Sequence, residues 1–161
     1  MPKVLIADKM SPLASRCFET RGIEVDVILG MNVKKLIDCI GKYEGLAVRS
    51  GTKVTAGVFE AAKKLKVVGR AGIGVDSIDC DMATSKGVVV MNTPFGNSIT
   101  TAEHTISLML AVARQIPAAN VSTHAGKWEK SKFMGIELMG KTLGVVGCGN
   151  IGTVVAERAQ G

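Results

Sequence analysis

Aromatic residues are scarce: tryptophan and tyrosine occur once each, and phenylalanine four times, in 161 residues. Any core must therefore be aliphatic. With no aromatics interleaved among the scattered lysines and arginines, nucleic-acid binding is not expected. Histidine occurs only as His104 and His124. Neither sits at the end of an expected strand, so each reads first as a structural or solvated side chain. No Ser/His/Asp arrangement, paired carboxylates or metal-ligand cluster accompanies them, and no metal is expected. The four cysteines, Cys17, Cys39, Cys80 and Cys148, show neither CxxC nor zinc-ligand spacing. They read as reduced, mostly packed thiols, with oxidation of Cys148 as the alternative. The longest apolar run, Ile106 to Ala113, falls far short of the roughly 18 residues of a membrane helix. Met1-Pro2-Lys3-Val4-Leu5-Ile6 lacks the layout of a signal peptide. No membrane partner is expected, and a cytoplasmic location follows by default.

What is present is a hydrophobic content of 47% beside 21% charged residues, enough apolar material for a packed soluble domain. The net charge of +6 has two readings. It would attract a small anionic substrate or a dinucleotide, or it would be balanced by acids in a longer chain.

The chain is organised around Thr142-Leu143-Gly144-Val145-Val146-Gly147-Cys148-Gly149-Asn150-Ile151-Gly152. An apolar run from Leu143 to Val146 predicts a strand, and Thr153 to Gln160 suits a helix. Between them lies Gly147-x-Gly149-x-x-Gly152, the order of strand, glycine turn and helix that dinucleotide binding requires. The first glycine permits the tight turn, the second lets backbone approach a pyrophosphate, and the third lets helix and strand pack closely. Phosphates would then rest on the unpaired N–H groups of a helix start. Gly147, Gly149, Asn150, Ile151 and Gly152 are the candidate cofactor residues. The acidic residue that would bind a ribose is expected about 20 residues beyond the glycines, past Gly161. The sequence therefore reads as the N-terminal part of a longer protein, interrupted inside its second domain.

Five apolar runs precede this motif: Val4 to Ala7, Val25 to Leu29, Leu46 to Val48, Val67 to Val68 and Val88 to Met91. They recur about every 20 residues and alternate with helical patterns at Ser11 to Arg21, Val33 to Ile40 and Ala56 to Leu65. Val33, Leu36, Ile37 and Ile40 share one helix face. This alternation predicts a doubly wound, parallel α/β sheet of the flavodoxin-like kind over residues 1–95. Residues 96–161 would begin a Rossmann domain. The LxxLxLxxN pattern of a leucine-rich solenoid is absent. The first βα turn, Ala7-Asp8-Lys9-Met10-Ser11-Pro12, has no glycine, so this unit should not itself hold a nucleotide.

Ligands of such sheets bind beyond the carboxyl ends of the strands. Those ends carry Arg49-Ser50-Gly51-Thr52, then Arg70-Ala71-Gly72-Ile73-Gly74-Val75-Asp76, then Asn92-Thr93-Pro94-Phe95-Gly96-Asn97-Ser98. Two arginines at neighbouring strand ends suit a carboxylate or phosphate. Alternatively Arg49 and Arg70 pair with nearby acids such as Asp76 and Asp79. From Thr100 the pattern changes. Thr100-x-x-Glu103 predicts a capping box, and the apolar run that follows predicts a buried helix at a junction or subunit interface. Ile116-Pro117 should end or kink it. Residues 118–141 read as an extended arm or a solvated connector, with Trp128 and Phe133 as anchors.

Several of these strings, Arg70 to Asp76, Asn92-Thr93-Pro94, Gly96-Asn97-Ser98, and Ala102-Glu103-His104-Thr105 with Leu108-Met109-Leu110, resemble the D-2-hydroxyacid dehydrogenases. Gly126-Lys127-Trp128 and Phe133-Met134-Gly135-x-Glu137-Leu138-x-Gly140-Lys141-Thr142 are most similar to the branch acting on 3-phosphoglycerate. The resemblance spans essentially the whole chain. It implies NAD as cofactor and hydride transfer from 3-phosphoglycerate to give 3-phosphohydroxypyruvate, the entry to serine synthesis. It also implies substrate contacts from Arg49, Ser50, Arg70, Ala71, Gly72 and Asn97, with Ile73 on the nicotinamide side. Some members carry threonine in place of Ile73, and many carry arginine in place of Asn150. The family's catalytic arginine, glutamate and histidine lie beyond residue 161, so no catalytic residue is expected here and the chain alone should be inactive. A homo-oligomer formed through the 101–114 helix is expected. A non-catalytic binding or dimerisation module, or a dehydrogenase for another D-2-hydroxy acid, are the alternatives.

Overall fold

The computed structural model describes residues 1–160. The chain divides into two compact units, Met1–Gly96 and Asn97–Gly161.

The first unit holds five short strands: β1 (Lys3–Ile6), β2 (Glu24–Val27), β3 (Gly45–Val48), β4 (Val67–Arg70) and β5 (Val89–Met91). All pair in parallel, in the order β2-β1-β3-β4-β5. This is the flavodoxin-like order expected from the alternation. Four helices connect the strands: α1 (Pro12–Glu19), α2 (Val33–Ile40), α3 (Ala56–Ala61) and α4 (Cys80–Ser85). Local chemistry sets their starts. Ser11 Oγ accepts from Leu13 N at 3.3 Å ahead of α1, and Asn32 Oδ1 accepts from Lys35 N at 2.9 Å ahead of α2. Both satisfy backbone donors that a helix start leaves unpaired.

Register aligns Leu5 with Leu46, Leu46 with Val68 and Val68 with Val90. Parallel partners point to one face, and Leu5, Leu46 and Val68 are buried there in one cluster with Leu36, Ile40, Val58 and Phe59. The predicted face of α2 is thus the observed one. The opposite row runs Ile6, Ala47, Gly69, Met91. Ile6 is buried, whereas Val89 and Met91 at the β5 end are exposed. The expected helix from Ala56 to Leu65 stops at Ala61 because Ala62 leaves helical geometry (φ −83°, ψ 62°). That break buries Leu65 and leaves Lys63 and Lys64 in solvent.

The second unit contains α5 (Ser98–Ala113), α6 (Ile116–His124), a 3-10 turn (Lys130–Lys132) and α7 (Asn150–Ala159). Three expectations need correcting here. The predicted capping box does not form: α5 begins at Ser98 behind Asn97 with no side-chain cap. Glu103 instead pairs with Arg158 of α7 at 2.9 Å. Within this unit Leu108, Leu110 and Val112 of the apolar helix are exposed, and Ser98, Ala102 and Ala113 are buried. Part of the supposed arm is helical: Gln115 takes a left-handed φ of 54°, and Pro117 in the first turn opens α6. Proline suits that position because its missing N–H would be unpaired anyway.

Finally, Leu143 to Val146 forms no strand. A parallel strand needs a hydrogen-bonded neighbour, and among the described residues the second unit offers no other strand to pair with. Val146 is fully exposed as a result. No helix of the described residues is long and apolar enough to cross a membrane.

Candidate functional site

The carboxyl ends of β1, β3 and β4 lie side by side, so the loops that follow them meet. Arg49 and Ser50 leave β3 exposed to solvent. Asp8, in the turn after β1, reaches across to this loop. Its Oδ2 accepts from the backbone N–H of Arg49 at 2.6 Å and of Thr52 at 3.1 Å. The Arg49 guanidinium donates to Lys9 O at 3.3 Å and makes no ion pair among the described residues. It is therefore free to receive an anion.

Arg70 is placed differently. Its side chain is only 10% exposed, and Nη1 donates to Gly74 O and pairs with Asp76 Oδ1 at 3.1 Å. This is the second of the two roles that the sequence left open for it. Asp76 is 86% exposed. Its own backbone N–H and the Arg70 guanidinium hold its carboxyl below the usual range. Arg70 Nε is buried without a partner.

Two residues fix the Ala71 to Gly74 loop. Asn92 Nδ2 donates to Ile73 O at 2.7 Å, and Thr93 donates to Gly72 O through its backbone N–H at 3.0 Å and its hydroxyl at 3.3 Å. Ala71 is exposed, while Gly72 and Ile73 are half-buried.

Within the first unit these residues line two separate cavities. Ser50 lines a cavity of about 500 Å³ with Lys53, Thr55, Asp76, Ser77 and Asp79. Arg70 and Ala71 line a largely apolar cavity of about 310 Å³ with Met10, Phe18, Met91 and Asn92. Asn97 belongs to the second unit, exposed ahead of α5.

The glycine turn keeps the features of an anion site even without its strand. Gly147 has φ 94°, which a side chain would resist. Gly149 caps α7 with no side-chain hydrogen bond, so no side chain occupies the donors of the first turn. A Cβ at Gly152 would collide with the Gly147 carbonyl oxygen. Asn150 opens the helix exposed, and Ile151 and Gly152 are half-buried. The helix start is thus held against the turn, and its first-turn N–H groups carry the positive end of the dipole. A diphosphate fits that donor set.

Asp8, Asp76, Asn92 and Thr93 were not singled out as site residues from sequence. Asp8 had one available signal: it is a charged residue directly after a strand, at the sheet edge where ligands bind. That turn holds no glycine, the residue that marks a nucleotide loop. His124 Nδ1 lies 3.0 Å from Asn120 O, and His104 is exposed within α5.

The model of the D-isomer specific 2-hydroxyacid dehydrogenase catalytic domain matches residues 4–159. The chain is 54% identical to D-3-phosphoglycerate dehydrogenase of Archaeoglobus fulgidus over 158 residues, covering 98% of this chain and 30% of that protein. It spans only about 30% of the length of the curated relatives it matches. Among solved structures, the TT0316 protein of Thermus thermophilus superposes with a TM-score of 0.90 at 34% identity, over 98% of this chain and 52% of that one. The NAD+-bound 3-phosphoglycerate dehydrogenase of Entamoeba histolytica does so with a TM-score of 0.79 at 31% identity, over 99% and 50%.

Proposed function

The chain belongs to the D-isomer specific 2-hydroxyacid dehydrogenase family, and from that premise we propose that it serves NAD-dependent oxidation of 3-phosphoglycerate to 3-phosphohydroxypyruvate, the first step of serine biosynthesis. The observation that carries this reading is the unpaired Arg49 guanidinium at the carboxyl edge of the sheet, in a chain so similar to phosphoglycerate dehydrogenases. In this reading residues 1–95 form most of the substrate lobe, and residues 96–161 begin the nucleotide lobe.

Arg49 presents a planar fork to the carboxylate or phosphate, with Ser50 beside it. The Ala71 to Gly74 backbone, latched by Asn92 and Thr93, lines the substrate and nicotinamide side. For Arg70 to join, its guanidinium must exchange Asp76 for the substrate anion. Asn97 would add an amide contact to the substrate. NAD, when bound, accepts the hydride from C2; Gly147, Gly149, Asn150, Ile151 and Gly152 would hold its diphosphate.

Taking a hydride from a carbinol also requires a base within about 3 Å of the hydroxyl proton. Neither histidine of this chain is set up for that role, so the 161 residues alone should bind without turning over.

The test is a titration of the chain with 3-phosphoglycerate and with D-lactate at equal ionic strength. The phosphorylated acid should bind more tightly, and Arg49→Ala should weaken it about tenfold or more, as loss of charge-assisted hydrogen bonds predicts. Equal binding of both acids, or NADH formation by a sample free of longer chains, would count against the reading. The exposed Leu108, Leu110 and Val112 of α5 support self-association. Sedimentation at tens of micromolar should show a species larger than one chain.

A further inference from the structure

The Asp8 carboxylate sits under the loop that carries Arg49 and Ser50, yet no part of the reading above uses it. We infer that Asp8 is a positioning residue for anion recognition: it holds the Arg49–Thr52 loop so that the Arg49 guanidinium meets the substrate's negative group. This rests on the proposed binding of 3-phosphoglycerate.

Three observations converge. One oxygen, Oδ2, takes both the Arg49 and the Thr52 N–H, so a single atom spans the loop from its first residue to its fourth. Backbone N–H groups aimed at a carboxylate make strong, short hydrogen bonds, and the first of these is 2.6 Å. Second, the loop lies so close on the carboxylate that a Cβ at Gly51 would come within 2.8 Å of Asp8 Oδ1. A side chain at this position would force the carboxylate or the loop to shift. Third, the next residue in the same turn, Lys9, offers its carbonyl to the Arg49 guanidinium itself. The turn after β1 therefore touches Arg49 at both its backbone and its side-chain end.

A negative group beneath an anion site is electrostatically unfavourable for the ligand. Here the two N–H groups are turned onto it, and the carboxylate acts through backbone geometry. A neutral oxygen with two lone pairs could do the same work, and this separates positioning from charge.

The test uses the 161-residue chain labelled with 15N and titrated with 3-phosphoglycerate against a salt control. Asp8→Ala should weaken binding about tenfold, comparable with Arg49→Ala. Asp8→Asn should return it to within about threefold of the native chain, since its amide oxygen still accepts both bonds. The double variant Asp8→Ala/Arg49→Ala should bind no more weakly than Arg49→Ala alone, because coupled residues are not additive. The Arg49 and Thr52 amide protons should exchange faster in Asp8→Ala. If Asp8→Ala does not fold, Gly51→Ala, which pushes the loop off an intact carboxylate, should weaken binding instead.

Native-like binding by Asp8→Ala or Gly51→Ala, where Arg49→Ala fails to bind, would overturn the positioning role. So would simple additivity in the double variant. A native chain with no saturable shift, or one indifferent to Arg49→Ala, would overturn the substrate assignment, and this inference with it.

Discussion

Leu5, Leu46 and Val68 lie sealed between a parallel sheet and its covering helices, whereas Val145 and Val146, from an equally strand-prone run, stand in solvent. Both stretches have the composition of buried parallel strands. The difference is the presence of neighbours. In the first unit each inner strand has a hydrogen-bonded partner on both sides, and α2 and α3 pack over the Leu5–Leu46–Val68 face. In the second, the apolar run before the glycine turn has no strand to pair with among the described residues. Local propensity specifies a strand only where the ladder is completed by something else.

Core truncation should give the largest effect and separate the two regions most sharply. Leu46→Ala is expected to destabilise the first unit by about 2–5 kcal/mol in urea denaturation, through lost burial and a residual cavity. Val146→Ala should change stability by less than about 0.5 kcal/mol, as exposed sites do. Equal losses at both would mean that Val146 is buried in the protein in solution.

The glycine turn offers a smaller and more specific break. Gly152→Ala places a methyl against the Gly147 carbonyl, so the α7 start must shift at a cost of about 1–3 kcal/mol. NADH binding followed by fluorescence should weaken about tenfold or more, with the first unit's melting unchanged. Unaltered NADH affinity would remove the turn from the cofactor site.

The smallest expected effect concerns acid. Tyr43, fully buried, donates its hydroxyl to Asp26 Oδ2 at 2.6 Å, and Lys3 pairs with Asp26 at 3.1 Å. These contacts hold the Asp26 carboxyl below the ordinary range, and the Lys3 backbone N–H does the same for Glu44. Groups whose folded pKa is depressed stabilise the fold above their unfolded value of about 4 and lose that contribution as the pH falls through the folded value. The first unit should therefore melt at lower temperature as the pH drops below about 4, and Asp26→Asn should flatten that dependence. A wild-type profile indistinguishable from Asp26→Asn would show that the Tyr43 bond does not bias the titration. In the second unit the corresponding contact is Ser122 to Glu129, 2.7 Å, which also depresses a carboxyl.

The fold was legible where one element's pattern needed no distant partner to interpret it. The period of apolar runs predicted the sheet, and the spacing of Val33, Leu36, Ile37 and Ile40 predicted the α2 face. Arg49 was readable as an unpaired cation at a strand end. Other features depended on contacts between segments far apart in sequence. Glu103 looks like a cap residue until Arg158 is placed beside it. Asp8 lies 41 residues from Arg49, and no local signal announces which loop its carboxylate will hold. Arg70 had two candidate partners, and its pairing with Asp76, six residues on, was one of them. Ile116-Pro117 was read as the end of a helix where it opens α6, since proline marks helix beginnings as well as ends.

The elbow at Gln115 ties three segments into one mechanical part. Ala113 closes α5, Gln115 turns left-handed into α6, and Ile136 donates its backbone N–H back to the Ala113 carbonyl at 2.8 Å. The residues carrying the exposed Trp128 are thereby drawn into a closed loop with its clasp at the end of α5. That clasp returns the chain to the foot of α5, directly beside the elbow from which α6 sets out.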